Sequence, residues 1–139
     1  MASSKNYWLD ANIILRYVTN DSKEFSPIAT KLIYQFVELK SKGYINTLVL
    51  DEIIYVLENV YKFSRTKIET TMSNFISISG IKIIDLDKDL VKKAMISYKN
   101  KNVDFPDCIY SEICKHSGYD PLTFDEDFKK LGYKSLIKK

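Results

Sequence analysis

Apolar and polar positions alternate along this chain with two different periods. Short apolar runs at Tyr7 to Leu9, Tyr44 to Asn46 and Ile81 to Ile84 read as strands. Tyr119 to Thr123 reads as a fourth and Tyr133 to Leu136 as a fifth. Between them the apolar residues return at helical spacing. Ile13, Ile14, Tyr17 and Val18 follow Asn12, a residue suited to cap a helix. The spacing predicts a helix over 26–41, with Ile28, Leu32, Phe36 and Leu39 on one face, Pro27 in its first turn and Gly43 as its stop. Thr47 is expected to cap a helix carrying Val49, Ile53, Val56, Leu57 and Val60. Further helices are predicted over 64–77, 87–98, 104–117 and 126–131, with Gly118 closing the third of these. Strand–helix alternation with short strands predicts an α/β fold with a parallel sheet between helical layers. Right-handed crossovers then place all strand C-termini on one edge.

That edge is where the polar residues become informative. Asp10 ends the first strand, and Asp125 follows the fourth. Glu52 lies in the early turns of the helix after the second strand, and Asp107 opens the helix over 104–117. Each acid has a local explanation as a turn residue, a cap or a surface Glu. Converging on one crevice, they change meaning. Several carboxylates within a few Å repel by a few kcal/mol or more at an effective dielectric of ~20, and a divalent cation removes that penalty. Such a cation activates water for in-line displacement at phosphorus, so the set points to phosphodiester chemistry. Asp104, three residues before Asp107, reads as a helix cap or an auxiliary ligand. Asn12 reads as a hydrogen-bonding auxiliary or a cap, and Thr123 as a group that positions water or phosphate or simply fills a strand position. There is no Gly-rich phosphate loop and no Gly-x-Ser-x-Gly elbow.

Composition narrows the cation. One histidine, His116, and two cysteines cannot build a typical zinc site, so oxygen ligands and Mg²⁺ or Mn²⁺ are expected. Cys108 and Cys114 are six apart on one predicted helix, point to separate sides and cannot bridge each other. Length, 139 residues, suits one domain over 1–139, and 45% apolar with 28% charged residues is ordinary for a soluble one. No apolar run approaches a membrane span, and Met1 to Lys5 lacks a signal-peptide core, so a cytoplasmic location without membrane contact is expected. The net charge of +3 is unevenly spread. From Lys62 to Lys101 there are nine Lys/Arg against four Asp/Glu, and from Phe128 onward five Lys and no acid. Bases flanking an acidic cluster suit a nuclease. Arg16, Lys92 and Lys93 are candidates to hold nucleic-acid phosphates or an acidic protein segment; surface salt bridges are the alternative. The single Trp8 lies in a strand and is expected in the core rather than as a base-stacking platform.

The motifs together resemble a known family. Leu9-Asp10-Ala11-Asn12-Ile13-Ile14-Leu15-Arg16-Tyr17 resembles the first motif of PIN domains, especially VapC-type toxin ribonucleases. Asp51-Glu52-Ile53-Ile54 is similar to the second, Val103-Asp104-Phe105-Pro106-Asp107-Cys108 to the third, and Leu122-Thr123-Phe124-Asp125-Glu126-Asp127-Phe128 to the fourth. Pro106 stands where relatives often carry Ala, but no acid is lost. The resemblance implies a parallel five-stranded sheet flanked by helices on both faces. It implies metal-dependent RNA cleavage with Asp10, Glu52, Asp107 and Asp125 as catalytic metal ligands. It also implies a type II toxin role, a cognate antitoxin and homodimers. The alternative is a PIN-like module that binds RNA or protein without cutting.

Overall fold

The computed structural model describes residues 5–134 and residue 137, and the chain divides into two compact units, Met1–Asp87 and Lys88–Lys139. The first unit holds a parallel sheet of three strands, β1 (Asn6–Trp8), β2 (Lys42–Ile45) and β3 (Ile81–Ile83), in the order β1-β2-β3. Trp8 pairs with Tyr44, and Tyr44 with Lys82. Helices α1 (Ala11–Thr19), α2 (Phe25–Val37), α3 (Thr47–Asn59) and α4 (Arg65–Ile76) belong to the same unit. α2 packs on β2, α4 on β3, and α1 on both α2 and α3.

The period-2 alternation sorts the strand residues by face. Leu9, Ile45 and Ile81 are buried, and Gly43 lies among them. A Cβ at Gly43 would stand 2.8 Å from Leu9 Cδ1 and 3.1 Å from the Phe36 ring, so this glycine lets α2 approach the sheet. Tyr7 meets the same Phe36 ring edge-on at 6.3 Å between centroids. The opposite face presents Asn6, Trp8, Lys42, Tyr44 and Lys82.

Several expectations change. Gly43 does not stop α2. That helix ends at Val37, and Leu39 takes a left-handed backbone at φ 57°. The buried face of α2 is Ser26, Ala29, Ile33 and Phe36. Ile28, Leu32 and Leu39 are exposed, because the helix is turned about one position from the expected stripe. Leu32 instead borders an open groove shared with Tyr17, Val37, Phe75 and Ile78. Asp10, not Asn12, caps α1, its carboxylate accepting from the Asn12 N–H at 3.3 Å. Asn46, not Thr47, caps α3, accepting from the Val49 N–H at 3.0 Å. Trp8, expected in the core, is 55% exposed, on the parity opposite to the residues that face α2, in a strand paired on one side only among the described residues.

The second unit holds α5 (Lys88–Lys101), α6 (Phe105–Ser117) and the short α7 (Asp127–Lys130). α5 and α6 pack along each other, and Leu90, Val91, Ala94, Met95, Tyr98, Phe105, Cys108 and Ile109 are buried. Tyr98 meets Phe105 at 83° between ring planes. Pro106 sits in the first turn of α6, where a missing N–H leaves no hydrogen bond unmade. Gly118 closes the helix at φ 72°. Cys108 and Cys114 are both free, the first buried.

Among the described residues the sheet has three strands rather than five, and the expected fourth strand is not found. Tyr119 to Thr123 forms no ladder. Pro121 removes one of its backbone donors, and Tyr119 and Leu122 stand 62% and 76% exposed, with no covered face to fix a register. The expected strand at Tyr133 to Leu136 lies partly outside the described residues; Tyr133 and Lys134 are irregular.

Candidate metal centre

Asp107, Asp125 and Asp127 each offer a carboxylate oxygen, and these oxygens lie within 4.8 Å of one another. Three local features build the group. Asp107 sits in the first turn of α6, where the backbone N–H groups favour negative charge. The chain leaving Thr123 is pinned by its hydroxyl, which accepts from the Asp125 N–H at 2.9 Å. Asp125 Oδ1 in turn accepts from the Asp127 N–H at 2.9 Å, which brings two acids to one side at the start of α7.

The electrostatics register the crowding. The Asp107 carboxyl is raised from 3.8 to about 6, first by burial and then by the charge and hydrogen bonding of Asp125, with further repulsion from Asp127 and Asp104. Burial and like charges both disfavour a carboxylate unless a cation joins it. Asp104 occupies the N-cap position of α6 in extended backbone, but its side chain makes no capping hydrogen bond. Its negative charge is felt at Asp107.

Asp127 was absent from the expected ligands. The signal was present as Asp125-Glu126-Asp127, two acids two residues apart at a loop-to-helix corner, but it reads equally well as helix-start acidity.

Asp10 and Glu52 stand on the first unit. The register places Asp10 and Asn46 level with each other just past the C-terminal ends of β1 and β2. Both carry extended backbone and cap the helix that follows. Glu52 is exposed in the second turn of α3. The start of α3 is tied down by an acid the motif reading passed over. Asp85, two residues past β3, accepts from the Thr47 N–H at 3.1 Å and from its hydroxyl at 2.7 Å. Asn12 is exposed on α1, its backbone N–H on Asp10.

Among the basic candidates, Arg16 Nη1 lies 3.1 Å from both Asp21 carboxylate oxygens. The Tyr61 and Thr19 hydroxyls donate to the same carboxylate. Chiefly through Tyr61, with help from Thr19 and Arg16, Asp21 is held down at about 2. This network ties the end of α1 to the residues just past α3. Lys92 and Lys93 lie on α5, the first half-buried and the second exposed.

A group of three oxygen donors without sulfur or imidazole suits a hard divalent cation such as Mg²⁺ or Mn²⁺. Among the described residues no helix is long and apolar enough to cross a membrane. The family model of the PIN domain matches residues 7–134. No curated protein matches the chain.

Proposed function

The chain belongs to the PIN-domain family, and from that membership we propose that it is a metal-dependent endoribonuclease of the VapC toxin type. PIN domains are generally metal-dependent nucleases, and the acidic group supports that chemistry here. One observation carries the proposal: three carboxylates offer oxygens within 4.8 Å of one another, and burial together with the neighbouring acids raises Asp107 to about 6.

In this reading both units form one PIN-like domain, and Asp107, Asp125 and Asp127 would hold Mg²⁺ or Mn²⁺. Asp10 and Glu52 complete the catalytic set, and Asp104 adds negative charge. The cation, when bound, supplies Lewis acidity for hydrolysis of a phosphodiester. The chain's own residues do the positioning. Thr123 and the Asp125 turn fix the direction of two ligands, and the α6 N-terminus fixes the third. Burial and the neighbouring acids raise the Asp107 carboxyl to about 6, and a bound cation would favour its ionised form. The Asn12 backbone N–H, donating to the Asp10 carboxylate in the α1 cap, orients Asp10, and Arg16, Lys92 and Lys93 hold RNA or an acidic antitoxin segment. The toxin role, the antitoxin and the homodimer are proposed from the resemblance of the four motifs, in order, to VapC-type toxins, and a cytoplasmic setting goes with that role.

The test is cleavage of a total RNA pool by wild type, Asp10→Asn and Asp107→Asn, with Mn²⁺ and with chelator. The expected outcome is cleavage only by wild type with metal. Cleavage in chelator, or equal cleavage by all three proteins, overturns the mechanism. Metal binding without any cleavage moves the protein to the non-catalytic module. Growth arrest on expression, relieved by a co-expressed neighbouring reading frame, tests the toxin role.

A further inference from the structure

Asp10 and Glu52 belong to different helices of the first unit, so their separation is set by how α1 lies against α3. The two helices pack on each other, with Ile14 and Leu15 of α1 and Ile53, Ile54 and Leu57 of α3 buried. Apolar burial is non-directional, and hydrogen bonds at the helix ends add the direction it lacks. At the start of the helices the strands do this. Pairing of β1 with β2 sets Asp10 level with Asn46, and Asp85 accepts from the Thr47 N–H and hydroxyl. At the far ends one carboxylate does it. Asp21 accepts from Arg16 Nη1, 3.1 Å from both its oxygens, and from the Thr19 hydroxyl at 2.9 Å, both on α1. It also accepts from the hydroxyl of Tyr61, 40 residues away and just past α3. Neither arm is loose. The Asn20 N–H donates to the Arg16 carbonyl at 3.1 Å, so Asp21 leaves a closed helix end. The Tyr61 N–H donates to the Val56 carbonyl at 3.1 Å and the Phe63 N–H to the Leu57 carbonyl at 2.9 Å, so Tyr61 is bound back onto the last turn of α3. The Asp21 carboxyl is held down at about 2, first of all by Tyr61, so it is a charged acceptor at neutral pH.

We propose that Asp21 is a positioning residue for the acidic set: by gripping the end of α1 and the Tyr61 hydroxyl together, it fixes the tilt of α3 against α1 and with it the separation of Asp10 from Glu52. The proposal rests on the ribonuclease reading, in which both acids serve the metal-dependent reaction, and adds a residue that acts through them. A lone exposed ion pair contributes little. Asp21 differs in joining donors from two helices, Arg16 and Thr19 on one side and Tyr61 on the other. Glu52 lies about 8 Å along the axis from the start of α3, so a tilt of ~5° about that anchored start moves it by ~0.7 Å. Metal–ligand distances are held to within ~0.2 Å, so a shift of that size matters to the site. A misplacement on the order of 1 Å from a change far from the chemistry can cost up to ~100-fold in rate.

The experiment compares the full chain as wild type, Tyr61→Phe, Asp21→Ala and Asp21→Asn. Residual dipolar couplings of the metal-free protein, in chelator, give the angle between α1 and α3. Cleavage of RNA in Mn²⁺ gives kcat and KM separately. Tyr61→Phe keeps the ring, which meets Phe63 edge-on at 6.0 Å between centroids, and removes only the hydroxyl, so it decides the matter even where Asp21→Ala does not fold. Tyr61→Phe and Asp21→Ala are each expected to shift the angle by about 5° or more and to lower kcat about tenfold, with KM within about twofold of wild type. Asp21→Asn, whose amide oxygen still accepts from the Tyr61 hydroxyl, recovers most of both. Asp21→Ala combined with Tyr61→Phe is no worse than Asp21→Ala alone, because the two residues act as one unit. An unchanged angle overturns the proposal, as does an altered angle with full kcat. So does a loss confined to KM, which makes Asp21 and Tyr61 RNA contacts, or a loss that only tracks the unfolded fraction at the assay temperature. Cleavage by wild type with no change of angle in the variants removes the clamp and leaves the ribonuclease. A changed angle in variants of a wild type that cleaves no RNA does the reverse.

Discussion

Asp107 concentrates the electrostatics of the site in one side chain. Its carboxyl sits at about 6 in the folded chain against 3.8 ordinarily, so the folded state keeps this proton over a range where the unfolded state has lost it. Below about 4 the group is protonated in both states and has no effect on stability. As pH rises from about 4 through 6 the folded state must ionise Asp107 beside other acids, and stability falls; above 6 the full penalty is present. Metal-free wild type should therefore lose thermal stability between pH 4 and 7 relative to Asp107→Asn. At pH 7 the variant should melt at the same temperature or higher. Mn²⁺ should raise the melting temperature of wild type and leave the variant nearly unchanged. Circular dichroism melts at the two pH values check all three. Trp8 teaches the complementary lesson. Its strand was legible from Tyr7-Trp8-Leu9, but whether Trp8 or its neighbours faced the helices depends on parity. One residue of register decides that, and local sequence does not.

At the scale of elements, the starts of helices carry the site. α1 and α3 both begin directly after parallel strands, each with an Asp or Asn side chain accepting the first free N–H groups. Cap residues were expected at both places and displaced by one or two positions, because Asp10 and Asn46 also complete the extended strand ends. Asp85 adds a second acceptor at α3 from another strand, a contact 38 residues away in sequence that no local pattern announces. Asp85→Ala should cost about 1 kcal/mol by removing the acceptor of the Thr47 N–H and hydroxyl, whereas Asp85→Asn should keep most of it. Urea midpoints of the two variants measure this, and equal midpoints would show that the contact contributes nothing. Long-range ties of this kind also explain α2. Its helical period was plain in the sequence, but its rotation was set by Phe36 fitting over Gly43, and by the backbone of Gly80, whose Cβ would lie 2.4 Å from the Phe36 carbonyl oxygen.

For the whole molecule, alternation of strand and helix specified an α/β chain with parallel strands, and the first three strands and seven helices stand close to where the periodicity put them. Tyr119 to Thr123 had the composition of a strand without a partner that specifies pairing, and Pro121 with exposed Leu122 left it irregular. Of the acids, Asp107, Asp125 and Asp127 come together. Asp127 escaped notice because membership of a cluster is a property of a turn's geometry, here the Asp125 carboxylate on the Asp127 N–H, and not of spacing alone.

The central claim is that these three acids are a divalent metal site, and its most direct test counts protons. Titrating Mn²⁺ calorimetrically at pH 6, in buffers of different ionisation enthalpy, reads metal affinity and proton release together. Because burial and the neighbouring acids raise Asp107 to about 6, wild type should release protons on binding metal at this pH. Affinity should rise as pH climbs from 5 to 7, and Asp107→Asn should lose both the release and most of the affinity. Mn²⁺ binding of unchanged affinity in Asp107→Asn, or no binding by wild type at pH 7, would contradict the account.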